Sequence, residues 1–127
     1  MKQNSLKFAF VLLICAAIPL LGREDAFAQQ SLVESAKKDY LSGDYSDFNH
    51  KMQLILNENY QDPTVRILEG LFFLENNTLD MRLRAGNLIK NNVHYLRDDP
   101  FSDFALGILY KKQNNFDYAH KYFEQSR

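Results

Sequence analysis

The sequence predicts an all-α protein in which antiparallel helix hairpins stack as a short solenoid of about three repeats behind an export signal. Three observations carry that prediction. Apolar residues recur at steps of three and four, as in Val33, Ala36, Tyr40 and again in Tyr45, Phe48, Met52, Ile55, which is helix spacing. The two-residue alternation of a half-buried strand is sustained nowhere in the chain. The same cap and turn residues then return at regular offsets, the mark of an internal repeat.

The chain has 127 residues, enough for one small domain. Fifteen basic and sixteen acidic residues leave a formal net charge of −1, without the clustered positive face that nucleic acid requires and without an acidic tail. The first element is a targeting segment. Lys2 and Lys7 precede an uncharged, mainly apolar run over 8–22, and Ala26-Phe27-Ala28 places small residues where a signal peptidase reads them. The run is short for a membrane span, which needs roughly 20 residues, and Pro19 interrupts it. Residues 1–28 are therefore expected to be a cleaved signal peptide, leaving 29–127 in the periplasm or outside the cell. The alternative is an uncleaved inner-membrane anchor formed by 8–22. Cys15 is the only cysteine and lies inside this run, so the mature domain relies on core packing rather than on a disulfide.

Next come the helices. Ser31 with Glu34 three residues on reads as a capping box at the start of the first. Asp62-Pro63 and Asp99-Pro100 each set an N-cap acceptor before a proline that suits the first helical turn, and Thr78 with Asp80 offers a further start. After each Asp-Pro pair the chain runs through six residues to a glycine, Gly70 or Gly107. An asparagine, Asn77 or Asn114, follows seven residues later, and Gly43 sits at the same offset from Ala36. Gly43, Asn77 and Asn114 thus mark equivalent turns, which divides the domain into units of approximately 30–60, 63–96 and 100–127. On the second helices, Ala119-x3-Phe123 lies 34 residues after Ala85-x3-Ile89, whereas Phe48-x3-Met52 lies 37 residues before it. The middle unit therefore carries three extra residues near 78–84.

Leu106-Gly107-x2-Tyr110 followed by Ala119-x3-Phe123 resembles the tetratricopeptide repeat, whose 34-residue helix–turn–helix unit has this pattern. The middle unit keeps Gly70 and Phe73 but has Glu69 at the leucine position, and the first unit has Asp39 at the tyrosine position. The resemblance covers about 30–127. It implies a right-handed solenoid whose concave face, lined by the first helix of each unit, binds a partner helix or extended peptide. The groove positions it assigns are Ile67, Leu71 and Leu74 in the middle unit, and Phe101, Phe104, Ile108, Lys111 and Lys112 in the third. Phe104 and Ile108 stand where carboxylate-binding members of the family carry Lys and Asn, so an apolar groove edged by lysines is expected. Burial or self-association is the competing explanation for a helix as apolar as 101–112.

No catalytic or cofactor motif is present. His50, His94 and His120 make no metal-spaced pair, and the chain has no G-x-S-x-G, G-x4-G-K-[ST] or G-x-G-x-x-G. Asn76-Asn77-Thr78 matches a glycosylation triplet but reads better as a turn and cap. The expectation is a non-enzymatic scaffold without metal or cofactor that binds protein rather than nucleic acid, and touches membrane only if the signal is retained. The second expectation is structural self-association. The last helix lacks a polar cap after it in the sequence, which makes Tyr118 and Tyr122 a candidate C-terminal docking face for a second copy or a further unit.

Overall fold

Asp62 and Asp99 act as the Asp-Pro pairs suggest: their Oδ1 atoms accept from the backbone N–H of Thr64 at 2.9 Å and of Phe101 at 3.0 Å. A computed structural model describes residues 28–58, 62–75 and 78–127. The helices are α1 over 28–42, α2 Tyr45–Asn57, α3 Pro63–Leu74, α4 Leu79–Asn92, α5 Pro100–Lys112 and α6 Phe116–Gln125, with a 3-10 turn at Val93–Leu96 after α4. The described residues are helical throughout and include no strand. Residues 1–27 of the expected signal, and the turn and glycosylation triplet at Asn76 and Asn77, lie outside the described residues.

Ser31 does not open a helix. Ala28 is already helical, so Ser31 and Glu34 sit on the exposed side of α1 and the capping-box reading is corrected. The two turns that are described share one geometry. Gly43 has φ +80° and Asn114 has φ +60°, the left-handed conformation that lets a helix end sharply. In each turn the following N–H reaches back five residues at 2.9 Å: Asp44 N–H to the Asp39 carbonyl, and Asn115 N–H to the Tyr110 carbonyl. Asp44 and Asn115 then accept the N–H of Asp47 and Tyr118 and cap α2 and α6.

The core is one cluster. Phe48, Met52 and Ile55 from α2, Val65, Ile67, Leu68 and Leu71 from α3, Ala85 and Ile89 from α4, and Ala105 and Leu109 from α5 all have almost no solvent exposure. Helix α3 lies at the centre, against α2, α4 and α5, and α5 packs against α6. Helix α1 is fastened to α2 by Lys51, whose ammonium donates to Ser35 Oγ at 2.6 Å and to the Asp39 carboxylate. The C-terminal ends of α1, α3 and α5 lie near one another. The Tyr40 phenol feels the Glu75 charge at the end of α3, and Glu75 lies 4.0 Å from Lys112 at the end of α5.

Close approach within the hairpins depends on glycine. A Cβ added at Gly70 would stand 2.7 Å from Ile89 Cγ1, and one added at Gly107 would stand 2.5 Å from Phe123 Cε1. Ala85 and Ala119, one turn before Ile89 and Phe123, are small and buried for the same reason. The three extra residues of the middle unit extend the start of α4. Ala85 falls six residues into that helix, whereas Phe48 and Ala119 fall three residues into α2 and α6. Three residues make most of a helical turn, so the added length keeps the buried stripe nearly in phase.

Candidate partner-binding surfaces

The expected concave groove is closed. Ile67 and Leu71 have 0% exposure, and Leu74 and Phe101 each have 4%, so these four positions belong to the core, with the Phe101 ring at the edge of a surface cleft. Helix α3 is enclosed by α2, α4 and α5, and α1 leans across the first turn of α5. Lys37 Nζ lies 3.6 Å from Asp99 Oδ2 and 4.8 Å from the centre of the Phe101 ring. The Tyr40 ring meets the Phe104 ring edge-on at 6.3 Å, and Phe104 meets Phe123 at 5.7 Å. Phe104 is thereby half-buried between its own neighbours, as is Ile108 against the core. Lys111 and Lys112 are exposed at the end of α5, where Lys112 faces Glu75.

What stays accessible on this side is a cleft of about 330 Å³ lined by Lys37, Leu41, Asp99, Phe101, Phe104 and Ser126. Its floor is aromatic and its rim holds the Lys37–Asp99 ion pair. Leu41, half exposed on the last turn of α1, forms one wall. A short apolar segment could lie against Leu41 and Phe104 with polar groups meeting the ion pair.

Tyr118 and Tyr122 fall on different sides of a tyrosine cluster. Tyr122 is half-buried and stacks on Tyr110, with ring centres 5.5 Å apart and planes 7° apart, while Tyr118 lies 5.4 Å from Tyr110 and remains half exposed. Burial raises the Tyr122 phenol above its usual range, and the neighbouring Tyr110 and Asp103 raise it further. Lys90 from α4 sits 5.7 Å over the Tyr110 ring. The exposed residues of α6 include His120, Lys121 and Glu124 beside Phe116 and Tyr118, and those of α1 include Ser31, Glu34 and Lys38 beside Leu41.

His50, His94 and His120 are exposed, and among the described residues no three His, Cys, Asp or Glu side chains gather into a metal-sized group. Among the same residues no helix is long and apolar enough to cross a membrane. One feature of the surface escaped the sequence reading. The residue two positions after each turn, Tyr45, Leu79 and Phe116, is the first residue of α2, α4 and α6, and these three are exposed by 46%, 72% and 61%. The signal was available as a large apolar residue recurring at a fixed offset from Gly43, Asn77 and Asn114. Helix spacing alone groups Tyr45 with Phe48, Met52 and Ile55, of which Tyr45 is the exposed one. The chain matches no family model, no curated protein and no solved structure.

Proposed function

We propose that this chain is an exported, non-enzymatic interaction module of the tetratricopeptide type, a scaffold that holds a protein partner in the cell envelope. The observation that carries this reading is the repeated hairpin contact: Gly70 against Ala85 and Ile89, and Gly107 against Phe123, each with a buried alanine one turn before the partner residue. The matching left-handed turns at Gly43 and Asn114 support the same unit, as does the seating of α3 on α2 and of α5 on α4. Units of this kind stack because one hairpin alone leaves an apolar side uncovered.

Polar positions on the outer sides of α1 and α6 weigh against end-to-end stacking of copies. Helix α5 buries the stripe Ser102, Ala105 and Leu109, and Leu109 lies over Gly86 of α4. The positions of α1 in the same register are Ser31, Glu34 and Lys38, and the position of α6 matching Gly86 is His120; all four are exposed and polar. Such faces act as caps.

The partner segment is assigned to the cleft beside Leu41 and Phe104, as an apolar helix or peptide. The test is crosslinking of the exported protein in intact cells, comparing the natural chain with Leu41→Glu. The expected result is a saturable crosslink to one envelope protein that the substitution abolishes without changing helix content. Undiminished crosslinking by Leu41→Glu would remove the cleft from consideration.

A further inference from the structure

Two pairs of tyrosine rings lie at the same separation in this chain and differ in attitude. The Tyr110 and Tyr122 ring centres are 5.5 Å apart with planes 7° apart, whereas those of Tyr40 and Tyr45 are 5.5 Å apart with planes 69° apart. Tyr118 adds a third ring to the first pair, 5.4 Å from Tyr110 and half exposed, so the stack formed by α5 and α6 reaches the surface. The phenol ends of the first pair are neighbours as well as the ring bodies: burial raises the Tyr122 phenol most, and Tyr110 raises it next.

The chemistry of such a stack follows from what surrounds it in the sequence. The chain has no tryptophan, and its one cysteine, Cys15, precedes the described residues. The tyrosine phenols are therefore the side chains of 28–127 that give up a single electron most readily. A tyrosine that loses one electron and its phenolic proton becomes a radical with much of its unpaired density on the ring carbons beside the oxygen. Two such radicals join through orbital lobes that stand perpendicular to their rings. Near-parallel, offset rings aim those lobes at each other, and edge-on rings do not. The Tyr40–Tyr45 pair fails on that ground, and Tyr40 is also shut away from any oxidant in solution by its burial.

We propose that Tyr110 and Tyr122 form a site of oxidative coupling, at which a peroxide-driven one-electron oxidant joins the two rings as dityrosine and fastens α6 to α5. Each ring is oxidised once and gives up one electron and one phenolic proton. A carbon–carbon bond then forms between the ring carbons beside the two oxygens. The hydrogen on each of those carbons moves to its oxygen as a proton, which restores both phenols. The two electrons and two protons removed convert one hydrogen peroxide into two waters. Tyr118, half exposed against Tyr110, is where the oxidant takes electrons, and Tyr110 refills it. The new bond joins the two helices of the last hairpin, where α6 packs against α5.

The experiment treats the purified protein with a peroxidase and hydrogen peroxide, at about 1 µM so that reaction within a chain outruns reaction between chains. Dityrosine fluorescence is expected to rise while the chain still runs as a monomer in denaturing electrophoresis. Trypsin separates the three tyrosines, because Lys111, Lys112 and Lys121 lie between them: peptides 98–111, 113–121 and 122–127 carry Tyr110, Tyr118 and Tyr122. The expected product joins 98–111 to 122–127 and is lighter than their sum by two hydrogens. Tyr110→Phe and Tyr122→Phe, which keep the rings and so the stack, each abolish it. Tyr118→Phe slows its formation without changing its identity, and Tyr45→Phe leaves it as in the natural chain. Circular dichroism follows the helix content of every variant, which stays at the natural value. A product joining 98–111 to 113–121 in its place overturns the proposal, as does fluorescence confined to dimers between chains. A yield indifferent to Tyr122→Phe, or no dityrosine at all, overturns it equally.

Discussion

In the hairpin α3–α4, a side chain added at Gly70 would meet Ile89 Cγ1 at 2.7 Å and the carbonyl oxygen of Ala85 at 3.0 Å. In α5–α6, the three atoms nearest to a side chain added at Gly107 all belong to the Phe123 ring, from 2.5 to 3.0 Å. Both hairpins need a glycine, but the middle one is limited partly by backbone and the last one by a single ring. The partner residues also differ: Ile89 is fully buried, whereas Phe123 is half-buried. The middle hairpin packs against α2 on one side and α5 on the other, while α6 packs against α5. Equal positions in a repeated pattern thus carry unequal energetic weight, according to how much of the molecule closes over them.

That difference can be tested, beginning where the effect should be greatest. Ile89→Ala empties a fully buried site in the middle hairpin and is expected to cost about 3–4 kcal/mol in chemical denaturation. Phe123→Ala removes more atoms but from a half-exposed site, and is expected to cost about 2 kcal/mol. If the last hairpin proves the more sensitive, the ordering by burial is wrong. Gly70→Ala is expected to cost about 2–3 kcal/mol, because overpacking here outweighs the roughly 1 kcal/mol that alanine gains in helix propensity. Trimming the partner with Ile89→Val should recover less than half of that loss, since it removes only Cδ1 at 3.2 Å and leaves both a Cγ and the Ala85 carbonyl in the way.

A smaller effect is expected at the other glycine. Gly107→Ala should cost about 1–2 kcal/mol, and Phe123→Leu in the same chain should return most of it, because the obstructing ring is gone. A double variant no more stable than Gly107→Ala alone would mean that the two hairpins are limited by the same thing. The slightest change concerns alkaline pH. Burial pushes the Tyr40 phenol far above its ordinary range, with Glu75 and Tyr45 adding to the effect. The folded chain therefore holds this proton more tightly than the unfolded one. The associated stability is complete below the ordinary tyrosine value of about 10 and is lost as pH rises beyond it. Thermal melts above that pH should fall more steeply for the natural chain than for Tyr40→Phe, which keeps the ring and has no proton to lose. Parallel curves would show that the folded and unfolded chains hold this proton equally tightly.

Much of the architecture was legible residue by residue. Asp62-Pro63 and Asp99-Pro100 start helices because the carboxylate and the fixed φ of proline act within a few residues. Gly43 and Asn114 end helices because those residue types enter the left-handed conformation at low cost. The extra residues of the middle unit were visible as a broken offset and appear as additional length in α4. Ser31 misled because a capping box is recognised by two residue types alone, and helical residues from Ala28 onward leave it inside a helix.

The candidate sites were legible only in part. Ile67, Leu71, Leu74 and Phe101 were assigned to an open groove from their place in the repeat, yet the groove is filled. Helix α1 reaches α5 there, through Lys37 on Asp99 and Phe101 and through Tyr40 on Phe104. No local pattern records a contact between the first and third hairpins, because each of those residues is compatible with solvent or with core in its own helix. The exposure of Tyr45, Leu79 and Phe116 failed to register for the converse reason: whether the first residue of a helix is covered depends on what packs around its start.

The sequence by itself determined which segments are helices, where most of them begin and end, and which small residues let paired helices touch. Those properties depend on capping atoms, backbone φ and side-chain volume at neighbouring positions, and all of them act over short distances along the chain. Only the tertiary structure decided which apolar faces are spent on the core and which remain for a partner. That choice depends on the angle at which the first hairpin lies across the third, and the angle is set by side chains far apart in sequence.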